Sequence, residues 1–186
     1  ARRGKASKQI AEDAAYYHAK LSFETNAGPE TTNLLKDFQK NHPNSPYRNE
    51  INELLSESYL ASNNYNEAVS HIENLPNRTP KIDAAYQRVT FNRGAELFNK
   101  DQYAEALAQF QKSLSRPRDS DLEVAAHFWS GEAQSAQQNY PAAINEYAAV
   151  FREPSARDSE YFNRSRYGSG YAPYNKKEYD KAATHF

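Results

Sequence analysis

The 186-residue chain has no cysteine, no methionine, one tryptophan and six glycines. Without cysteine there can be no disulfide, no thiolate nucleophile and no cysteine-held metal, and the redox compartment stays open. No apolar run approaches the roughly 18 residues that a membrane-spanning helix needs. Charge of one sign is also missing. The 23 Lys and Arg against 24 Asp and Glu leave a net charge of −1, which gives no electrostatic footprint for nucleic acid. The short basic run of Arg2, Arg3, Lys5 and Lys8 reads as a solvated terminus. No secretory leader is visible at the start. With no initiator methionine, and with a last residue, Phe186, that falls inside an expected helix, the sequence reads as a piece of a longer protein.

Catalytic signals are equally thin. His18, His42, His71, His127 and His185 are scattered without metal-ligand spacing, and His127 reads as a packing residue near Trp129. Gly4-Lys5-Ala6-Ser7 lacks the preceding glycine and strand of a phosphate-binding loop. Asn77-Arg78-Thr79 and Asn163-Arg164-Ser165 match the glycosylation pattern, which matters only in a eukaryotic secretory context that nothing here supports. The chain is therefore expected to be no enzyme and to hold no metal and no cofactor.

What the sequence has is a period. Pro43, Pro80, Pro117 and Pro154 are each 37 residues apart. Tyr65, Tyr103, Tyr140 and Tyr179 keep nearly the same beat, each followed three residues later by an alanine, at Ala68, Ala106, Ala143 and Ala182. Gly94, Gly131 and Gly170 follow it too. A fixed period of this size marks a stack of like units. Hydrophobic content of 38% and a mean hydropathy of −1.00 suit a solenoid, in which each unit buries only the faces it shares with its neighbours.

One unit can be read physically over 124–151. A first helix carries Phe128, Trp129 and Gly131, and Gln137-Gln138-Asn139 forms a polar turn. Pro141 then suits the first turn of a second helix, where its missing N–H costs nothing. Ala143, Tyr147 and Val150 stand at i, i+4 and i+7, one apolar face. Each repeat is thus an antiparallel helix pair. Glycine and alanine lie where the two helices cross closely, and the tyrosine fills the space beside the turn.

These residues resemble the tetratricopeptide repeat: a small residue in the first helix, alanine and an aromatic four apart in the second, and a closing proline. The copies are Gly131 with Ala143 and Tyr147, Gly170 with Ala182 and Phe186, Gly94 with Ala106 and Phe110, Ser56 with Ala68 and Ile72, and weakest Ala19 with Thr31 and Leu35. The resemblance implies an all-α fold, an α-solenoid of tandem helix-turn-helix repeats in a right-handed superhelix. It would be a single solenoid over 1–186, with repeats at about 8–46, 47–83, 84–120, 121–157 and a truncated 158–186. The phrases His42-Pro43-Asn44-Ser45-Pro46-Tyr47 and Phe128-Trp129-Ser130-Gly131-Glu132-Ala133 look like bacterial envelope members of the family, those of the Tol–Pal system and of outer-membrane protein assembly. That likeness implies a periplasmic or outer-membrane-associated adaptor, with a cytoplasmic location still open. Two departures stand out. Arg93, Ser130 and Ser169 replace the leucine before each glycine, so those contacts should be thinner or solvated. Pro173 falls inside the first helix of the last unit, which should bend or become irregular there.

In this family the first helices of successive pairs line the concave face. Here that face should carry Tyr16, Lys20 and Phe23, then Glu53, Glu57 and Leu60, then Arg88, Phe91, Ala95 and Phe98. Phe128 and Glu132 follow, then Arg164, Tyr167, Tyr171 and Tyr174. Rings on a rigid scaffold are low-entropy contact area, and aromatics and arginine dominate binding hot spots. The expected partner is a segment of another protein, amphipathic and not strongly charged. Members that bind a chaperone's terminal carboxylate use asparagines where this chain has Lys20 and Glu57, and Glu57 would repel that ligand. The alternative functions are a structural subunit that self-associates through its truncated last repeat, or the regulatory part of a larger machine.

Overall fold

The computed structural model describes residues 2–25 and 28–175. Among them the secondary structure is wholly helical: α1 (Arg2–Thr25), α2 (Pro29–Asn41), α3 (Arg48–Ala61), α4 (Tyr65–Glu73), α5 (Pro80–Phe98), α6 (Tyr103–Leu114), α7 (Ser120–Ala136), α8 (Tyr140–Val150), a 3-10 helix (Pro154–Asp158) and α9 (Glu160–Asn175). Pro43 and Pro117 lie in the connections between pairs, and Pro80 and Pro154 open the next helical element. Proline fits a first turn because the N–H it lacks would have no intrahelical partner there. The helix expected over 179–186 lies outside the described residues. Helix α9 stays helical past Pro173 to Asn175.

The recurring tyrosine has a specific job in the turns. Asn63, Asp101 and Gln138 each adopt a left-handed backbone, with φ of 56°, 58° and 60°. Each closes the first helix of a pair with two backbone bonds. Asn64 N–H reaches Tyr59 O at 3.0 Å while Asn63 N–H reaches Leu60 O at 3.2 Å, and the same two bonds recur at Gln102/Asp101 and Asn139/Gln138. This is the C-terminal lock that a left-handed residue permits. Two residues later the tyrosine returns to that residue's side chain: Tyr65 Oη donates to Asn63 Oδ1 at 2.6 Å, and Tyr103 Oη to Asp101 Oδ1 at 2.5 Å. Asn and Asp tolerate the left-handed state better than other residues with side chains, and the ring holds them in it.

The chain divides into two units, Ala1–Tyr86 and Gln87–Phe186. In the first, α1 packs on α2 and α3, α2 on α3, and α3 on α4. Its core is Tyr16, Ala19, Leu35, Phe38, Ile51, Leu55, Ala68 and Ile72. Polar pairs run through that core: Thr32 with Ser58 at 2.5 Å, Ser22 with Thr31 at 2.8 Å, and Gln39 Nε2 donating to Asn52 Oδ1 at 2.8 Å.

In the second unit α6 packs on α7, α7 on α8, and α9 on both α7 and α8. Leu97, Ala106 and Phe110 form one cluster, and Val124, Phe128, Ala143, Tyr147, Val150 and Ala156 another. A Cβ built on Gly94 would stand 2.6 Å from the Phe110 ring, and one on Gly131 2.5 Å from Tyr147. Glycine is therefore required by the close approach of a ring. The extra residues between α6 and α7 are held by Gln87, whose buried amide accepts from Arg118 N at 2.7 Å and Asp119 N at 2.9 Å and donates to Asp119 O at 2.9 Å. Asp119 then caps α7 by accepting from Asp121 N and Leu122 N. Ser130 and Ser169 are buried, and so correct the expectation of a solvated contact. Ser130 precedes Gly131, where the Tyr147 ring comes so close that a Cβ would meet it at 2.5 Å. Arg93 is half-buried and pairs with Glu96 at 2.7 Å.

Candidate functional site

The second unit carries an open pocket of about 480 Å³ bounded by α7, α8 and α9. Its lining is Phe128, Glu132 and Ser135 from α7, Tyr147 from α8, and Asn163, Arg164, Tyr167, Gly168 and Tyr171 from α9. Tyr147 stands upright in the space two glycines leave. A Cβ on Gly131 would meet one edge of its ring, and a Cβ on Gly168 would come within 2.6 Å of the other. Its hydroxyl donates to Glu132 Oε1 at 2.6 Å. Burial, then that carboxylate, pushes the phenol far above its ordinary pKa, so it stays a donor at any working pH.

Arg164 forms the rim. Its guanidinium lies 4.6 Å over the Phe128 ring and 5.6 Å over Trp129, and its Nη1 donates to Glu160 at 3.1 Å. Beyond it, Tyr167, Tyr171 and Tyr174 follow one another at i, i+4 and i+7 on α9. Their rings stack at 5.8 Å and 6.0 Å. These three are 61%, 44% and 52% exposed, an unusual amount of aromatic surface in one line.

Six of the residues expected to face a partner thus share one surface: Phe128, Glu132, Arg164, Tyr167, Tyr171 and Tyr174. Phe128 sits differently from that expectation. It is almost wholly buried, packed against Trp129, Tyr147 and Tyr161, so it offers a floor and not a free ring. In the same unit Arg88 is exposed. Phe91 and Phe98 are half-buried, Phe91 tilted on Phe110 at 5.8 Å and Phe98 edge-on between Tyr103 and Trp129 at 5.2 and 5.0 Å. They serve packing as much as surface.

The candidates of the first unit are engaged within their own unit. Tyr16 is buried, stacked flat on Tyr47 at 3.9 Å, and donates to Glu50 at 2.6 Å. Tyr16 therefore also departs from the expected groove face, because Tyr47 covers it. Lys20 donates to the other Glu50 oxygen at 2.8 Å. Those two bonds, Lys20's first, hold the Glu50 carboxyl below the usual carboxylate range. Phe23 is half-buried. Glu53 accepts from Thr79 Oγ1 at 2.6 Å, and Glu57 pairs with Lys81 at 3.1 Å.

Sequence reasoning gave no weight to Ser135 or Gly168, and read Asn163 only as a glycosylation pattern. Gly168 was findable as a further glycine, two residues before the periodic Gly170. A second pocket, about 570 Å³ in the first unit, went unforeseen: Gln39, Arg48, Tyr59, Asn66, Glu67, Ser70, His71, Asn74, Leu75 and Pro76 come together from α2, α3, α4 and the following loop. Its residue types are those of any polar surface, so no signal marked them. His127, expected to pack, places Nδ1 2.8 Å from Glu146 Oε2 beside the aromatic cluster.

No family model matches the chain, and no curated protein sequence matches it. Solved structures do resemble its fold. The crystal structure of MamA aligns over 94% of this chain and 87% of its own, with 16% identity and a TM-score of 0.57. MamA from residue 41 to its end, from Desulfovibrio magneticus RS-1, aligns over 94% and 90%, with 16% identity and a TM-score of 0.52. YrrB, described as a TPR protein with an unusual peptide-binding site, aligns over 98% and 87%, with 17% identity and a TM-score of 0.56. At such identities the likeness is one of fold. The class of this fold is the α-solenoid of tetratricopeptide-type helix pairs.

Proposed function

We propose that the chain is a non-catalytic scaffold that holds a segment of another protein on the second unit. The observation that carries this reading is the pocket against Phe128 and Tyr147, continued along α9 by the exposed Tyr167–Tyr171–Tyr174 stack. An apolar side chain of the partner enters the pocket, and the flat tyrosine faces take the residues beside it. The nearby charges are mixed in sign, Arg164 paired with Glu160 and Glu132 accepting from the Tyr147 hydroxyl, so the segment is amphipathic and not strongly charged. Arg88, Glu132 and Arg164 contribute register and on-rate more than affinity. The peptide-binding site named for YrrB supports a binding role for a fold of this kind. The envelope-like phrases around Pro43 and Trp129 support placing the scaffold in a bacterial envelope assembly.

The test is selection of displayed peptides on the parent, followed by titration against a Tyr167→Ala/Tyr171→Ala variant whose helicity matches the parent's by circular dichroism. Loss of about tenfold or more in affinity is expected, the scale of an aromatic hot spot. Peptides that bind parent and variant equally would remove this surface from the function.

A further inference from the structure

The pocket of the second unit contains a carboxylate that the fold satisfies only in part. Glu132 follows Phe128 by one helical turn, so the two share a face of α7, and both line the pocket. Glu132 is half-buried, and its Oε1 accepts from the Tyr147 hydroxyl at 2.6 Å. Among the described residues no side chain donates to Oε2 and no cation pairs with the carboxylate. Oε2 keeps its contact with solvent. A carboxylate only accepts, and each oxygen has room for more than one donor. A side chain that fills the pocket must therefore replace the water at Oε2 or leave a charge desolvated and unpaired, which is costly. The surroundings narrow the choice. The walls are largely aromatic, with Phe128 as the floor, Tyr147 upright, and Tyr167 and Tyr171 on α9. Arg164 lines the same pocket, its guanidinium 4.6 Å over the Phe128 ring. A cationic side chain meets Arg164 there, and an anionic one meets Glu132.

We propose that the anchor selected by this pocket is a tryptophan of the partner segment, whose indole N–H donates to Glu132 Oε2. This rests on the scaffold reading above and names the side chain that enters. The indole is apolar over both faces, which suits packing against the pocket's rings. Its one polar group donates and does not accept, so it matches a carboxylate and asks nothing of Arg164. A phenol also donates, but its oxygen then needs a donor of its own, which ranks tyrosine second. Phenylalanine and leucine fill the same apolar volume and close Oε2 off from water without replacing it. Glu132 thus works mainly by excluding anchors that lack a donor, which is selectivity more than affinity. Every group invoked lies on α7, α8 or α9, so the selection needs no residue outside them.

The probe is a displayed library of random peptides, selected on the parent protein. Retained peptides share a tryptophan. One of them is synthesised with that residue kept, with its ring nitrogen methylated, and with phenylalanine or lysine in its place. The tryptophan peptide binds about tenfold more tightly than the methylated and phenylalanine forms, because a site that hydrogen-bonds a donor rejects the analogue without it. Glu132→Gln, with a helical spectrum matching the parent's, removes the charge that phenylalanine leaves desolvated. The phenylalanine peptide then gains affinity and the two bind within about twofold of each other. A loss of folding in the variant would weaken every peptide alike, so the gain separates selection from mere structural support. Equal binding of the tryptophan and methylated peptides by the parent overturns the proposal. So does a lysine peptide that binds more tightly than tryptophan, or a tenfold preference that survives Glu132→Gln. Peptides retained without a tryptophan or tyrosine anchor overturn this inference and leave the scaffold reading standing. A library from which nothing is retained overturns both.

Discussion

The two units solve the same packing problem with different chemistry. Each helix pair presents a buried knob from its second helix 16 residues after a small residue in its first: Ala19 and Leu35, Ser56 and Ile72, Gly94 and Phe110, Gly131 and Tyr147. In the first unit the knobs are aliphatic and the small residue can keep a side chain. Ser56 spends its hydroxyl on Asn52 O at 2.7 Å, and the rest of the interior is joined by polar pairs such as Thr32–Ser58. In the second unit the knobs are rings, and only glycine leaves them room. The small position thus follows from the size of its knob. A glycine read from the period is a statement about the ring opposite it.

Exchanging the two solutions tests that lesson, and the larger effect belongs to the second unit. Gly131→Ser pushes a Cβ into the Tyr147 ring and should cost about 1–3 kcal/mol, read as a fall in the urea midpoint. The cost should shrink when Tyr147→Leu is present, since the ring is the obstacle. An equal cost in both backgrounds would break the pairing of knob and glycine. Ser56→Gly, the reverse exchange, should cost only about 0.5–1 kcal/mol, because glycine is a poorer helix former and the bond to Asn52 is lost. A gain in stability there would mean that Ile72 also lacks room.

The helix pairs, their breaks and the knob positions were legible because they follow from spacing along one helix. The tyrosine stack on α9 was legible for the same reason. What spacing could not give was cover supplied by another pair. Tyr16 lies on the expected groove face of α1, yet Tyr47, beyond α2, stacks on it and buries it. Phe128 is likewise covered, by Tyr161 and the Arg164 guanidinium. Ser130 and Ser169 read as polar and therefore wet, but both are buried, which spacing along their own helices does not reveal. The pocket around His71 depends on the angle at which α2, α3 and α4 meet, and no residue pattern encodes that angle.

The smallest expected effect is a pH dependence that belongs to the first unit. His71 is shielded in that pocket with its ring 5.8 Å from Tyr59, and its Nε2 is buried with no hydrogen-bond partner. Burial lowers its pKa from the ordinary 6.5, Lys36 pushes the same way, and the bond to the Asn52 backbone opposes both. The folded imidazole is therefore neutral at pH values where the unfolded one takes up a proton. The unfolded state then binds more protons, so stability is complete above about pH 6.5 and is lost as the pH falls from there through the lowered folded value. The slope contributed by one such group cannot exceed about 1.4 kcal/mol per pH unit. Urea midpoints measured from about pH 7 to pH 5 should fall for the parent and fall less steeply for His71→Phe, which keeps a ring beside Tyr59 but cannot titrate. Parallel slopes for the two proteins would show that His71 takes its proton as readily in the folded unit as in the unfolded chain, and that water reaches the Nε2 that the helices enclose.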